Sequence, residues 1–356
     1  MSASRDPRER CFESAVLTRP ARIAAGAVVC VPLLYAAWRI ARWALIDAIW
    51  VLPPGATPDV CHVASAGACW AVIGERGRFI LFGAYPSAEQ WRAAVACLLF
   101  AGPFVLTLAR AAWTPAVAAS WIAAQVSAAA LLSGGVAGLR EIPIDLWGGL
   151  PVTLLLSTAS FTLALPVAIA LALGRRSALP AIRGLSAAWI EAVRGVPLIT
   201  LLFMASVLAP LCLPPAFVPD KALRTLATYA IVIAAYQAEV VGAGIDGLPF
   251  GQREAAAALG LSPARATALI VLPQALRAAL PATINTFIGF FKDTTLIMIV
   301  GLFDLLGAAH AATGDGRWAG FGVEVYAFVA LVYGALCYLI SRCGARLERA
   351  GAGARA

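Results

Sequence analysis

Residues 249–273, PFGQREAAAALGLSPARATALIVLP, form a polar-edged, alanine-rich island in a chain that is otherwise mostly apolar. Gln252 to Leu259 predicts a short helix, because Ala, Glu, Gln, Arg and Leu lose little side-chain freedom there. Gly260 supplies a left-handed stop, and Ser262-Pro263 starts a second helix as N-cap and first-turn proline. The expected product is a helical hairpin with a face of methyl groups that another protein can approach closely. Glu254 is the acid of the first turn, where the helix dipole favours it and where a partner's Arg or Lys would meet it. The plainer alternative is a surface hairpin that merely joins two membrane spans.

Around this island the composition is that of a membrane protein. Hydrophobic residues make up 61% of the 356, and mean hydropathy is +0.84. A span needs about 20 apolar residues, so there is room for several. Of 27 basic residues only Lys221 and Lys292 are lysines. No basic cluster is interleaved with aromatics, which argues against nucleic acid as a partner and leaves the arginines to orient loops. Eight cysteines include no CxxC pair, and His62 and His310 are the only histidines, so neither a metal site nor a cofactor is expected. Cys61 and Cys69 lie in one loop and are either two free thiols or, if that loop faces an oxidising compartment, a disulfide. The arginine-rich first 22 residues lead into no cleavage site, so no signal peptide is expected.

Along the chain, residues 1–22 read as a basic cytoplasmic tail. The apolar runs at Ile23–Trp38, Ala93–Ala109 and Ala116–Ser133 form an N-terminal extension, 23–147, interrupted by a long extracytoplasmic loop, 51–91. From Gly148 five more runs follow, at Leu150–Leu173, Leu185–Leu211, Leu223–Val241, Ala282–Phe303 and Val323–Ser341. The expected fold is an all-α integral membrane protein with about eight transmembrane helices. With both termini in the cytoplasm, the loops bearing Arg175, Arg176, Arg183, Arg253, Arg265 and Arg277 fall inside with both tails, as the positive-inside tendency requires.

The island's order, Glu254-Ala255-Ala256, then Gly260, then Leu272-Pro273, resembles the EAA loop of ABC importer permeases. The resemblance extends over residues 148–343, which look like the five-helix core of polar amino-acid permeases (MetI-like, HisM-type). It rests on Gly149 and Thr153, Glu191-Ala-Val-Arg194-Gly195-Val-Pro197-Leu, Tyr236-Gln-Ala-Glu239, Pro273-Gln-Ala275, and Pro281…Asn285…Lys292-Asp293-Thr294-Thr295-Leu296. Upstream, Gly67-Ala-Cys-Trp70 and Arg78-Phe-Ile-Leu-Phe-Gly83 look like the M-type permease of a general L-amino-acid importer. The resemblance implies an inner-membrane subunit working with ABC ATPase subunits, a homologous second permease, a periplasmic amino-acid-binding protein and an L-amino-acid substrate, in contact with membrane lipids. It implies that Gln252, Glu254, Ala255, Ala256, Leu259, Gly260 and Leu261 meet the ATPase. The sequence departs from the pattern at Gly242, where arginine is common, and at Asp246-Gly247, so Glu239 is expected to lack its usual neighbour.

ATP is expected to be bound by the partner subunit, since a Walker A loop needs Lys after Gly and the two lysines follow Asp220 and Phe291. Lys292 and Asp293 sit inside an expected span, where charge is costly unless it is paired or faces water. They either line a pathway for a zwitterion or are locked to neighbouring helices. They cannot simply pair with each other, because adjacent helical residues point about 100° apart. Tyr236 and Glu239 either line an inner gate or form a helix-end ion pair. Asn285, Thr294 and Thr295 are either pathway lining or helix–helix hydrogen bonds. Glu191 and Arg194, three apart, are expected to pair locally. No HExxH or GxSxG is present, so the chain is not read as an enzyme. The rival reading is a secondary amino-acid transporter driven by an ion gradient, in which Lys292 and Asp293 would have to serve as the coupling site.

Overall fold

The computed structural model describes residues 19–62, 66–110, 114–136, 138–249 and 251–353. Most of the expected 1–22 tail, Trp113, Phe250 and the end of the 344–356 tail lie outside them. The chain falls into two compact units, one reaching to Glu75 and one from Arg76 onward.

In the first unit α1 (Arg19–Ala41) ends in a π-helical turn, Arg42–Ile46. Its residues 28–40 are exposed, including Val28, Leu33, Leu34 and Trp38, as befits a helix whose surroundings are lipid. Beyond it the Trp70 indole N–H donates to the Ala44 carbonyl at 2.7 Å, and Ile49 bridges to Cys69. The stretch 51–91, expected as loop, contains the helix α2 (Ala71–Phe82). Val72 and Ile80 are buried while Glu75 is exposed, so α2 is amphipathic and too short to cross a bilayer.

In the second unit α3 (Gln90–Leu99) and α4 (Ala101–Arg110) share one apolar run that breaks at Phe100, just ahead of Gly102-Pro103. Pro103 has no N–H to continue the helical ladder. α5 (Pro115–Ser133) is capped by the Thr114 hydroxyl, which accepts from Val117 N–H. Arg92, between the expected loop and the expected span, is fully buried and staples α3 to the end of α5. Its guanidinium donates to the carbonyls of Leu131 at 2.7 Å and Arg140 at 3.0 Å.

The core pairs α6 (Gly149–Gly174) with α9 (Lys221–Asp246). Among the buried residues of α6 are Leu156, Ser160, Ala164, Ala168 and Ala172, one every four residues. Side chains four apart form a ridge along one helix face. Lipid is as apolar as leucine, so small side chains that let backbones approach drive the packing here, not burial from water. Between these helices come α7 (Pro180–Gly195) and α8 (Leu198–Cys212), bent by 96°. The expected single span Leu185–Leu211 is therefore corrected to a broken one. Pro197 lacks the N–H a continuous helix needs and drives Val196 into extended geometry, φ −107° and ψ 131°.

The island forms α10 (Gly251–Ala258) and α11 (Pro263–Ala266), and the latter runs without interruption into α12 (Leu272–Asp293). A 3₁₀ segment, Thr294–Val300, the short helix α13 (Leu305–Thr313), and α14 (Gly322–Gly353) complete the unit. Among the described residues seven helices are long and apolar enough to cross a membrane, or eight if the bent pair is one span, which agrees with the all-α membrane fold and its extra N-terminal helices.

Candidate functional site

The hairpin α10–α11 is closed by two backbone bonds. Leu261 N–H reaches the Ala256 carbonyl at 3.1 Å and Gly260 N–H the Ala257 carbonyl at 2.9 Å, with Gly260 at φ +74°. This is the Schellman stop expected of a glycine one residue past a helix. Ser262 caps α11 by accepting from Arg265 N–H. Gln274 on α12 donates to Gln252 at 3.1 Å and to the Ile270 carbonyl at 2.9 Å, which ties α10 to α12. Glu254, Ala255 and Gly260 are exposed, Leu261 is half-buried, and Leu259 is 79% exposed at the tip. Ala256 is the correction within this set: it is 1% exposed and seats the helix instead of offering surface. A recess of about 710 Å³ opens beside the hairpin, bounded by Arg176, Arg253, Ala257 and Thr267 among others.

Beside this hairpin the ends of α6, α7 and α9 converge in a charge cluster. Glu239 accepts from Arg175, which caps the end of α6, and from Arg194 of α7, the latter at 2.8 Å. Arg194 thus pairs across to α9 and not with Glu191, whose carboxylate lies 3.8 Å from Arg175 instead. The Arg194 guanidinium also sits 5.4 Å over the Tyr236 ring, and Tyr236 meets Phe290 edge-on at 5.5 Å. Glu239 therefore has two cationic partners despite Gly242. The space a side chain at 242 would take is held by Arg176: a Cβ there would meet its guanidinium at 2.8 Å. Arg176 in turn binds Asp246 with both carboxylate oxygens engaged, one at 2.8 Å. The two departures at Gly242 and Asp246 are one arrangement, in which α6 delivers the guanidinium from outside α9.

At the far end of α12, Lys292 is exposed and Asp293 half-buried, and among the described residues neither is in an ion pair. A lock to a neighbouring helix is made instead by the Asp293 backbone carbonyl, which accepts from the Tyr229 hydroxyl. Asn285 is exposed and Thr295 half-buried. Thr294 is fully buried, donating to the Phe291 carbonyl at 2.9 Å with its hydroxyl 3.5 Å from that of Tyr333. It is helix glue, not pathway lining.

Sequence reasoning missed the network this threonine joins. Asp304, fully buried, caps α13 through Gly307 N–H at 2.7 Å and accepts from the Tyr333 hydroxyl at 2.8 Å. Thr153 accepts from Leu305 N–H at 3.1 Å, and Gly148 and Gly149 bridge to Phe303 and Asp304. Gly149 stands at φ +69° with a carbonyl of Leu81 where a Cβ would go, so only glycine fits. Burial holds the Asp304 carboxyl above its usual range, while its hydrogen bonds from Gly307 and Tyr333 pull it down. The available signal was an Asp directly before a run of helix formers. In the first unit Cys61 and Cys69 are joined by a disulfide.

Residues 164–350 match the family model described as the binding-protein-dependent transport system inner membrane component. Over 86% of its length the chain is 40% identical to the inner membrane amino-acid ABC transporter permease protein YhdY of Escherichia coli, covering 83% of that protein. It is 37% identical over 80% of its length to the glutamate/glutamine/aspartate/asparagine transport system permease protein BztC of Rhodobacter capsulatus, covering 79% of it. Among solved structures an amino acid ABC transporter superposes at a TM-score of 0.50 with 28% identity, over 56% of this chain and 91% of that one.

Proposed function

The chain belongs to the binding-protein-dependent transport system inner membrane components, and on that premise we propose that α10–α11 couples it to an ATP-hydrolysing partner during L-amino-acid import. It is an amino-acid ABC transporter permease subunit, multi-pass in the inner membrane, and a transporter subunit, not an enzyme.

The observation that carries the proposal is mechanical. The hairpin presents Leu259, Ala255 and Glu254 outward, is stiffened by its Schellman turn, and is tied to α12 through Gln252–Gln274. Because α11 and α12 are one continuous span, Pro263–Val300, a push on the hairpin is a push on the helix that carries Lys292 and Asp293. ATP binding that closes the partner subunits shifts the conformational population by its differential affinity for the two states. The Glu239–Arg175–Arg194 cluster joins the ends of α6, α7 and α9 next to that lever and serves as the inner latch. Lys292 and Asp293, with Tyr236, Asn285 and Thr295, supply polar groups along the route of a zwitterion. The substrate is delivered by a periplasmic amino-acid-binding protein, and the assembly includes a homologous second permease, both termini of this chain being cytoplasmic.

The test is co-purification with the candidate ATPase and second permease in mild detergent. Wild type is expected to retain the ATPase, and Glu254→Arg to lose it with membrane insertion unchanged. Recovery of no ATPase with wild type would sink the coupling role and return Lys292 and Asp293 to the gradient-driven reading.

A further inference from the structure

We propose that the apolar cavity between α4, α5, α6, α12 and the C-terminal end of α14 holds an acyl chain of an anionic phospholipid, with the headgroup against Arg346. The cavity measures about 350 Å³, within the roughly 300–1,000 Å³ of ligand clefts. Phe104, Trp121, Phe161, Leu280, Phe287 and Ile340 make most of its wall.

The few hydroxyls on that wall already have protein partners. The Thr107 hydroxyl donates to the Pro103 carbonyl at 2.6 Å and accepts from the Trp121 indole at 3.0 Å. Thr158 donates to the Leu154 carbonyl at 2.6 Å, and Thr162 donates to the Thr158 carbonyl at 2.9 Å while accepting from Gln125 at 2.8 Å. Thr283 accepts from Gln237. An amino-acid zwitterion entering here would shed its water and find no charged side chain on the lining, so the cavity is ill suited to a polar route. Membrane-spanning helices enclose it, and an unfilled gap between them forfeits dispersion contacts on every wall. The hydrocarbon chain of a lipid is the filler at hand.

Charge selects which lipid. α14 ends in Arg342, Arg346 and Arg349, all exposed and none in an ion pair among the described residues. Cys343 and Leu347 line the cavity; on α14 Arg346 lies about one turn from the first and next in sequence to the second. Arginines at a helix end sit at headgroup depth and attract anionic lipid.

The experiment uses the assembled transporter in nanodiscs with phosphatidylglycerol or phosphatidylcholine carrying a photoactivatable acyl chain, and maps crosslinked peptides by mass spectrometry. Crosslinks are expected at residues 118–122, 280–287 and 340–347, with phosphatidylglycerol ahead by about fivefold, the weight of one interfacial arginine. Arg346→Gln should remove that preference and keep the phosphatidylcholine signal. Ala118→Trp, at the exposed rim, should abolish these crosslinks and leave those on residues 28–40; Ile122→Trp is the second filler if the first fails to insert. Equal labelling by both lipids, labelling indifferent to both fillers, or no labelling because a partner subunit covers the cleft would each overturn the proposal.

Discussion

Arg176 does from α6 what position 242 cannot do from α9. Gly242→Arg alone puts two guanidiniums in one space and should destabilise the protein. Combining it with Arg176→Ala should recover much of the loss, a coupling of about 1 kcal/mol or more in a double-mutant cycle. Thermal unfolding in detergent reads it, and simple additivity would show the two sites independent. Asp304 offers a pH prediction. Its carboxyl holds its proton more tightly folded than unfolded, because burial dominates. Its contribution is therefore full below the unfolded value of about 4 and drains as pH rises through the folded one. The melting temperature of wild type should fall relative to Asp304→Asn as pH rises above about 4; parallel curves would show that Asp304 does not set this dependence. Such partnerships are illegible in the sequence: Gly242 and Asp246 stand out as departures, but nothing in their spacing names Arg176, some seventy positions upstream.

Single elements are more legible, because helix signals are local. Gly260 and Ser262-Pro263 mark the hairpin's turn, and the structure has Gly260 at φ +74° with open space where a Cβ would stand. Gly260→Ala therefore strains only the backbone, by about 1–2 kcal/mol. The expected outcome is faster amide exchange across 252–259 and weaker ATPase retention, with Gly260→Asn milder; unchanged exchange would place the hairpin's rigidity elsewhere. Hydropathy cannot see the break between α7 and α8, since Leu185–Leu211 is mostly apolar on both sides of it; Gly195-Val-Pro197 carries that information, but in the sequence it stands out only as part of a motif. Likewise α2 hides within a Pro- and Gly-rich stretch because it covers only Ala71–Phe82, below the length that hydropathy windows detect.

At the scale of the molecule, span count and fold class follow from composition, while burial of Arg92 and the route of the polar pathway depend on which helices meet. Orientation can be checked on the native thiols. In intact cells of a Cys212→Ser background, an impermeant maleimide should label this chain only after an impermeant reductant opens Cys61–Cys69. Labelling of Cys343 before membrane lysis would invert the topology. The Cys61–Cys69 bond also bears on how the protein is made. Both cysteines leave the ribosome while the whole importer core is still untranslated, and at typical synthesis rates that interval is on the order of tens of seconds. Oxidation runs on a scale of seconds to hours, so the ring can close before the core helices enter the bilayer, and a cell short of oxidant would finish the chain with a ring that never closed, not one that closed and later opened.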